Sequence, residues 1–229
     1  MNHRTLTGAS SALRFQIMPA GSIRCNAVVI WHEQSRDAVI VDPTDDARPV
    51  IAFSKRLGLK VHYVLLTHGH FDHSADAERA CVVFSCPGAL HSDDHPIYFD
   101  IPRLALAYGQ TISPRTQTLA RLNDNQTIEA LPDFPIVVLH VPGHSEGSVA
   151  FHLPNAQWLL GGDTLFHGGV GRTDLPGGDT HKLIESVQQR LYRFPEQTQV
   201  IPGHGTITTI GHERSNNPQA KATRIEPTL

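Results

Sequence analysis

The segment Thr67-His68-Gly69-His70-Phe71-Asp72-His73 constrains this chain more than any other. Four metal-capable side chains fall within six residues, directly after the apolar run His62–Leu66, which reads as a strand. In extended backbone, residues i and i+2 share a side, so His68 and His70 can grip one ion. Asp72 and His73 lie past that bend and can face a neighbouring ion. Imidazole and carboxylate suit zinc, iron or manganese. No cysteine lies in the segment, which argues against a structural thiolate zinc site.

Three further elements repeat the pattern of strand, small residues, ligand. Val137–Val141 leads to Pro142-Gly143-His144-Ser145, Trp158–Leu160 to Gly161-Gly162-Asp163-Thr164, and Val200–Ile201 to Pro202-Gly203-His204-Gly205. Glycine before each ligand lets the backbone turn sharply and approach closely. If these strands are sheet neighbours, their ends converge on one rim. One ion would then take His68, His70 and His144, and a second Asp72, His73 and His204, with Asp163 bridging. Each ion keeps an open position, as catalysis requires. Two divalent ions are expected, with zinc ranked first and iron or manganese as alternatives. Asp42 closes a strand before Pro43. It reads either as a partner that orients a ligand histidine or as the cap of the turn toward the helix near Asp46. Of the remaining histidines, His91, His95 and His167 are candidates for the pocket border, and the others read as surface or strand residues.

Strand patterns recur at Cys25–Trp31, Ala38–Val41, His62–Leu66, Cys81–Phe84, Ile136–Val141, Ser148–Leu153, Trp158–Leu160 and Gln199–Ile201. Helical periodicity marks Asp46–Leu57, with Asp45 or Asp46 as N-cap, and Asp179–Phe194, which starts after Gly177–Gly178 and stops before Pro195. Strands punctuated by amphipathic helices imply an α/β layered fold with helices outside. Leu90–Pro114 is less regular and reads either as a lid or binding loop or as a short helix on the core.

The chain has 229 residues, enough for a substantial core, with 40% hydrophobic and 18% charged residues. Its net charge of −3 and lack of a Lys/Arg cluster argue against nucleic acid as a partner. Three cysteines without a Cys-x-x-Cys pair argue against a disulfide framework and for a reducing, cytoplasmic setting. No apolar run is long enough to span a bilayer, and Met1–Leu13 lacks a signal-peptide core, so no membrane partner is expected. The expected organisation is a frayed terminus over 1–14, one folded domain over 15–217 and a flexible tail over 218–229. A monomer or small homo-oligomer is anticipated.

The Thr67–His73 string, taken with the His144, Asp163 and His204 elements, resembles the metallo-β-lactamase superfamily over about residues 15 to 217. The resemblance implies an αββα sandwich, two mixed β-sheets face to face with metals at one edge. Within it, Gly161–Pro176 and Pro202-Gly203-His204-Gly205, followed by Gly211–Arg214 and Asn216-Asn217-Pro218, look like the short single-domain glyoxalase II-like hydrolases. That likeness implies a small-molecule thioester substrate linked to glutathione, as in hydrolysis of S-D-lactoylglutathione to D-lactate and glutathione. Asp72 would orient the nucleophile. A counterpart of the C-terminal helical domain of full-length glyoxalase II is not expected here. The Gly171-Arg172-Thr173 turn aligns with a substrate-contacting loop, so Arg172 and Thr173 are expected to bind substrate. The structural alternative is an Arg172 paired with Asp174 or Asp179.

Persulfide dioxygenases share the fold and a Gly-x-Gly-Arg-Thr-Asp stretch but use a single iron. They form the competing reading, with lactonases and other hydrolases of this fold behind.

Overall fold

The computed structural model describes residues 5–7 and 12–221. A seven-stranded sheet holds, in spatial and chain order, β1 (Thr5–Thr7), β2 (Leu13–Ala20), β3 (Cys25–His32), β4 (Asp37–Val41), β5 (Lys60–Leu65), β6 (Gly88–His91) and β7 (Ala120–Leu122). β1 to β4 pair antiparallel. β4 to β7 pair parallel, because helices carry the chain back between them. These crossovers are α1 (Arg48–Arg56), the short α2 (Phe71–Ser74) with α3 (Ala77–Phe84), and α4 (His95–Phe99) with α5 (Ile101–Leu106).

The second sheet comprises β8 (Thr127–Ile128), β9 (Ile136–His140), β10 (Val149–Leu153), β11 (Trp158–Gly162), β14 (Gln199–Pro202) and β15 (Thr208–Thr209). A two-stranded ribbon, β12 (Leu165–Phe166) and β13 (Gly169–Val170), and helix α6 (Thr180–Gln189) lie between β11 and β14. Helix α7 (Ile210–Asn216) follows β15.

Three apolar cores explain the stacking. Phe15, Val28, Ile30, Phe151 and Trp158 belong to the core between the sheets. Val29, Trp31, Val50, Ala80 and Tyr98 fill the core under α1, α3 and α4. Leu159, Val187, Leu191 and Ile210 fill the one under α6 and α7. The result is the expected αββα layering. All eight residues of β3 are buried, since both faces of its sheet are covered, which is why this strand reads as an unbroken apolar run.

Several expectations need correction. Cys81–Phe84 is helical, not a strand. In α3, Ala77, Ala80 and Cys81 face the core at helical spacing while Val82 is 65% exposed, so the β-branched pair misled the reading. The strand in that region is β6. The eight-residue β2 was not anticipated, because Arg14, Gln16 and Pro19 interrupt its apolar pattern, although it pairs with β3 along its whole length. The N-cap of α1 is Ala47, whose N–H is taken by Asp76 Oδ2 at 2.9 Å. Asp179 caps α6 by accepting from the Lys182 N–H. Leu90–Pro114 contains α4 and α5, which pack on the core through Tyr98, Ile101 and Ala105.

The terminal boundaries also differ. Leu13 is fully buried at the start of β2, and Thr5–Thr7 pair with that strand, so ordered structure begins before residue 15. Residues 1–4 and 8–11 of the expected frayed terminus lie outside the described residues. In the expected tail, Ala220 is fully buried and Gln219 accepts the Val170 N–H. Residues 222–229 lie outside the described residues. Among the described residues, no helix is long and apolar enough to cross a membrane.

Candidate metal centre

Strand direction explains why the metal-capable residues meet. β11 and β14 are parallel, and β9 runs the same way because β10 is antiparallel to both β9 and β11. Their C-terminal ends therefore deliver His144, Asp163 and His204 to one rim. β4 and β5, also parallel, deliver Asp42 and the Thr67–His73 segment from the other sheet.

All seven predicted residues come together. His70 Nδ1 lies 2.9 Å from His144 Nε2, which is 3.2 Å from His68 Nε2. On the other side, His204 Nε2 lies 3.1 Å from Asp72 Oδ2 and 3.3 Å from His73 Nε2. Asp163 stands between the two triads. Its Oδ1 is 3.3 Å from His73 Nε2, and its Oδ2 is 3.6 Å from His144 Nε2 and 3.7 Å from His204 Nε2. The switch from extended backbone at His70 to α2 at Phe71 separates His68 and His70 from Asp72 and His73.

The donor set fits cations. His144 Nδ1 donates to the Arg172 carbonyl at 2.8 Å, His73 Nδ1 to Asp42 Oδ2 at 2.9 Å, and His68 Nδ1 to Thr67 Oγ1 at 3.0 Å. These acceptors place a proton on Nδ1 of each ring and turn all three Nε2 atoms inward. Lone pairs about 3 Å apart repel one another unless positive charge sits among them. Asp163 Oδ1 is buried and makes no hydrogen bond, which costs about 1–3 kcal/mol in a site without a cation.

Charge states divide the cluster: burial opposes the charged ring at His73 and His204, but the surrounding carboxylates, Asp72 and Asp163 among them, outweigh it and hold both above the usual imidazole range. Burial, joined by neighbouring rings, holds His68 well below the usual imidazole range and His70 at about 3. Burial opposes ionisation of Asp72 and Asp163, but His73 and the other imidazoles outweigh it and hold both carboxyls below their usual range. Neutral His68 and His70 and ionised Asp72 and Asp163 are already in the forms a metal requires, and an ion at the second triad would displace the protons of His73 and His204. Gly203 is dictated by space, since a Cβ there would lie 2.2 Å from Asp163 Oδ1 and 2.6 Å from His73 Cε1.

The supporting residues are less predictable. Of the two readings of Asp42, the structure shows the partner that holds a cluster histidine. Asp94, which sequence reasoning missed, is fully buried and ties the two histidine loops together. Its Oδ2 accepts from the Gly69 N–H and Ser145 Oγ, both at 2.7 Å, and its Oδ1 from the Gly147 N–H at 2.6 Å. Nothing in His91-Ser92-Asp93-Asp94 distinguishes Asp94 from its exposed neighbour. Cys25 was also missed. Its Sγ lies 3.4 Å from His73 Nδ1, and burial pushes its thiol up to about 12, so it stays protonated.

Arg172 lines the cleft over the cluster, but its Nε and Nη2 each lie 2.7 Å from an oxygen of Asp174. Thr173 does not line this cleft. Its hydroxyl meets Thr180 Oγ1 at 2.6 Å. His91, His95 and His167 do not line it either, and His91 stacks on His140 at 4.2 Å. The cleft holds about 680 Å³, and its floor is formed by His70, Asp72, His144, Asp163 and His204.

This fold and rim define a metal-dependent hydrolase class. The profile of the metallo-beta-lactamase superfamily matches residues 20–204, and the chain belongs to that superfamily. Among its relatives is the hydroxyacylglutathione hydrolase GloC of Haemophilus influenzae, 32% identical over 207 residues, spanning 90% of this chain and 97% of the relative. The crystal structure of the B3 metallo-beta-lactamase BLEG-1 superposes with a TM-score of 0.84 at 35% identity, over 90% of this chain and 99% of the other. That of TTHA1623 in a di-iron-bound form gives 0.80 at 36% identity, over 88% and 98%.

Proposed function

We propose that this protein is a metal-dependent thioester hydrolase of the hydroxyacylglutathione hydrolase type, turning S-D-lactoylglutathione into D-lactate and glutathione. The observation that carries the proposal is the pair of donor triads flanking Asp163 at the floor of a cleft. His68, His70 and His144 would hold one divalent ion, Asp72, His73 and His204 the second, and Asp163 would contact both. Zinc is the first candidate, and the di-iron form of TTHA1623 makes iron a close alternative. Ions bound there would supply Lewis acidity and lower the pKa of water from about 15.7 toward roughly 7.

The chain's own residues do the rest. Asp72 lines the cleft and orients the attacking water through its carboxylate. Arg172 O and Asp42 hold the His144 and His73 rings, so the donors need no reorganisation during the reaction. A thiolate, whose thiol has a pKa near roughly 8.5, departs with little protonation. An amine would need a proton donor, and the cleft walls are mostly apolar. The likeness to BLEG-1 makes β-lactam hydrolysis the second reading.

The test is purified protein with its metal content measured, assayed on S-D-lactoylglutathione and on a β-lactam. The proposal expects chelator-sensitive thioester turnover with about two metals per chain. It also expects turnover to vanish in His68→Ala and Asp163→Ala variants that retain wild-type circular dichroism. β-Lactam turnover without thioester turnover would replace the proposal. So would a single iron with oxygen consumption on glutathione persulfide.

A further inference from the structure

The cleft above the donor cluster is walled by apolar side chains from separate parts of the chain. Ile97 of α4 stands with Leu104 of α5 and Tyr108 just beyond it, and Phe71, Phe166 and Leu175 complete the wall. Core packing accounts for Phe71, which is buried in the core under α1, α3 and α4, but not for the other five. In the same two helices Tyr98, Ile101 and Ala105 already fill the core, so this segment is apolar on two faces. At the cleft mouth, Tyr108 is 43% exposed and Ile23, from the β2–β3 turn, 45%. Large apolar groups grouped around one opening form a recognition surface.

The charges lining the cleft complement this. Among the described residues, Arg172 is the one Arg or Lys lining it, and Asp174 engages its guanidinium. Asp72 and Asp163 lie on the floor. The walls therefore offer little to the two carboxylates of a glutathionyl group and much to a hydrocarbon.

Resting on the thioester-hydrolase reading, we propose that the preferred substrate carries an apolar arm beside the scissile bond, and that the cleft recognises this arm and not the charged ends of glutathione. The arm belongs either to the acyl chain or to the thiol, and the same chemistry serves both.

Two thioester series on the metal-loaded, full-length protein separate these sources. One lengthens the acyl group of S-(2-hydroxyacyl)glutathiones from lactoyl to 2-hydroxyoctanoyl. The other keeps lactoyl and lengthens an alkanethiol from ethanethiol to hexanethiol. In the series that matches the arm, kcat/KM should rise about fourfold per methylene over the first few carbons. Leu104→Asn, at a half-buried wall position, should flatten that rise. Calorimetric binding of alkyl carboxylates from butanoate to octanoate gives a readout independent of turnover, and affinity should climb with chain length. Flat profiles in both series overturn the proposal and leave the thioester reading standing. If no thioester is hydrolysed, that reading falls, and the carboxylate series alone decides: climbing affinity supports the apolar arm and flat affinity overturns it.

Discussion

Asp42 Oδ2 accepts the Nδ1 proton of His73 at 2.9 Å, and the same oxygen lies 2.7 Å from Thr67 Oγ1, which accepts from His68. One buried carboxylate thus aligns a ring in each donor triad, directly in one and through a hydroxyl in the other. It sits in a left-handed turn, φ +48°, at the end of β4.

Asp42→Asn keeps the size and tolerates that backbone conformation, so it tests the carboxylate alone. Metal affinity should fall about 10- to 100-fold, measured by chelator competition. Unchanged affinity would show that His73 and His68 hold their orientation without it.

Asp94→Asn addresses the brace between the two loops. An amide cannot accept from Gly69, Ser145 and Gly147 as a carboxylate does. The unfolding free energy of the metal-free protein should drop by about 2 kcal/mol in urea titrations. A midpoint equal to wild type would remove Asp94 from the supporting structure.

The strands ending in ligands were legible because each couples an apolar run to a glycine turn and a chemically distinctive side chain, as at Val200–His204. Residues that act through position were not. Asp94 and Cys25 lie far in sequence from the histidines they support, and no local pattern announces such contacts. α3 was misread because its buried face is made of small residues, Ala77 and Ala80, which carry little periodic signal. Thr173 was expected at substrate on the strength of its neighbour, yet its hydroxyl turns to α6.

His152, on β10 and packed against Phe194 at 4.2 Å, is held at about 4 by burial, against 6.5 in an open chain. Its folded form resists protonation that the unfolded chain accepts. The stability it contributes is therefore present above pH 6.5 and is lost as pH falls toward about 4. Allowing for partial exposure, wild type should lose about 2 kcal/mol more than His152→Gln between those limits. Parallel pH profiles for the two proteins would refute the assignment.

Arg172→Ala separates ion pairing from substrate capture. Both partners of the Arg172–Asp174 pair are solvent-exposed, so its loss should leave the urea midpoint essentially unchanged. KM for acidic and neutral thioesters should shift together. A loss confined to acidic substrates would show that Arg172 leaves Asp174 to hold a carboxylate.

Each donor triad draws on both sheets, His68 and His70 with His144, Asp72 and His73 with His204. Hydrogen bonds cross that rim as well, including those of Asp94 with Ser145 and Gly147 and of the Asn26 side-chain amide with the Pro202 and Gly205 carbonyls. Among them, Val149 N–H meets the Thr67 carbonyl at 2.8 Å and Asn26 N–H the Gly203 carbonyl at 2.7 Å. An ion seated there works as a rivet through a hinge line. Starving the protein of metal should loosen the seam before either sheet melts, first speeding amide exchange at Val149 and Asn26. The lifetime of the folded chain in a cell would then track the supply of the ion it uses.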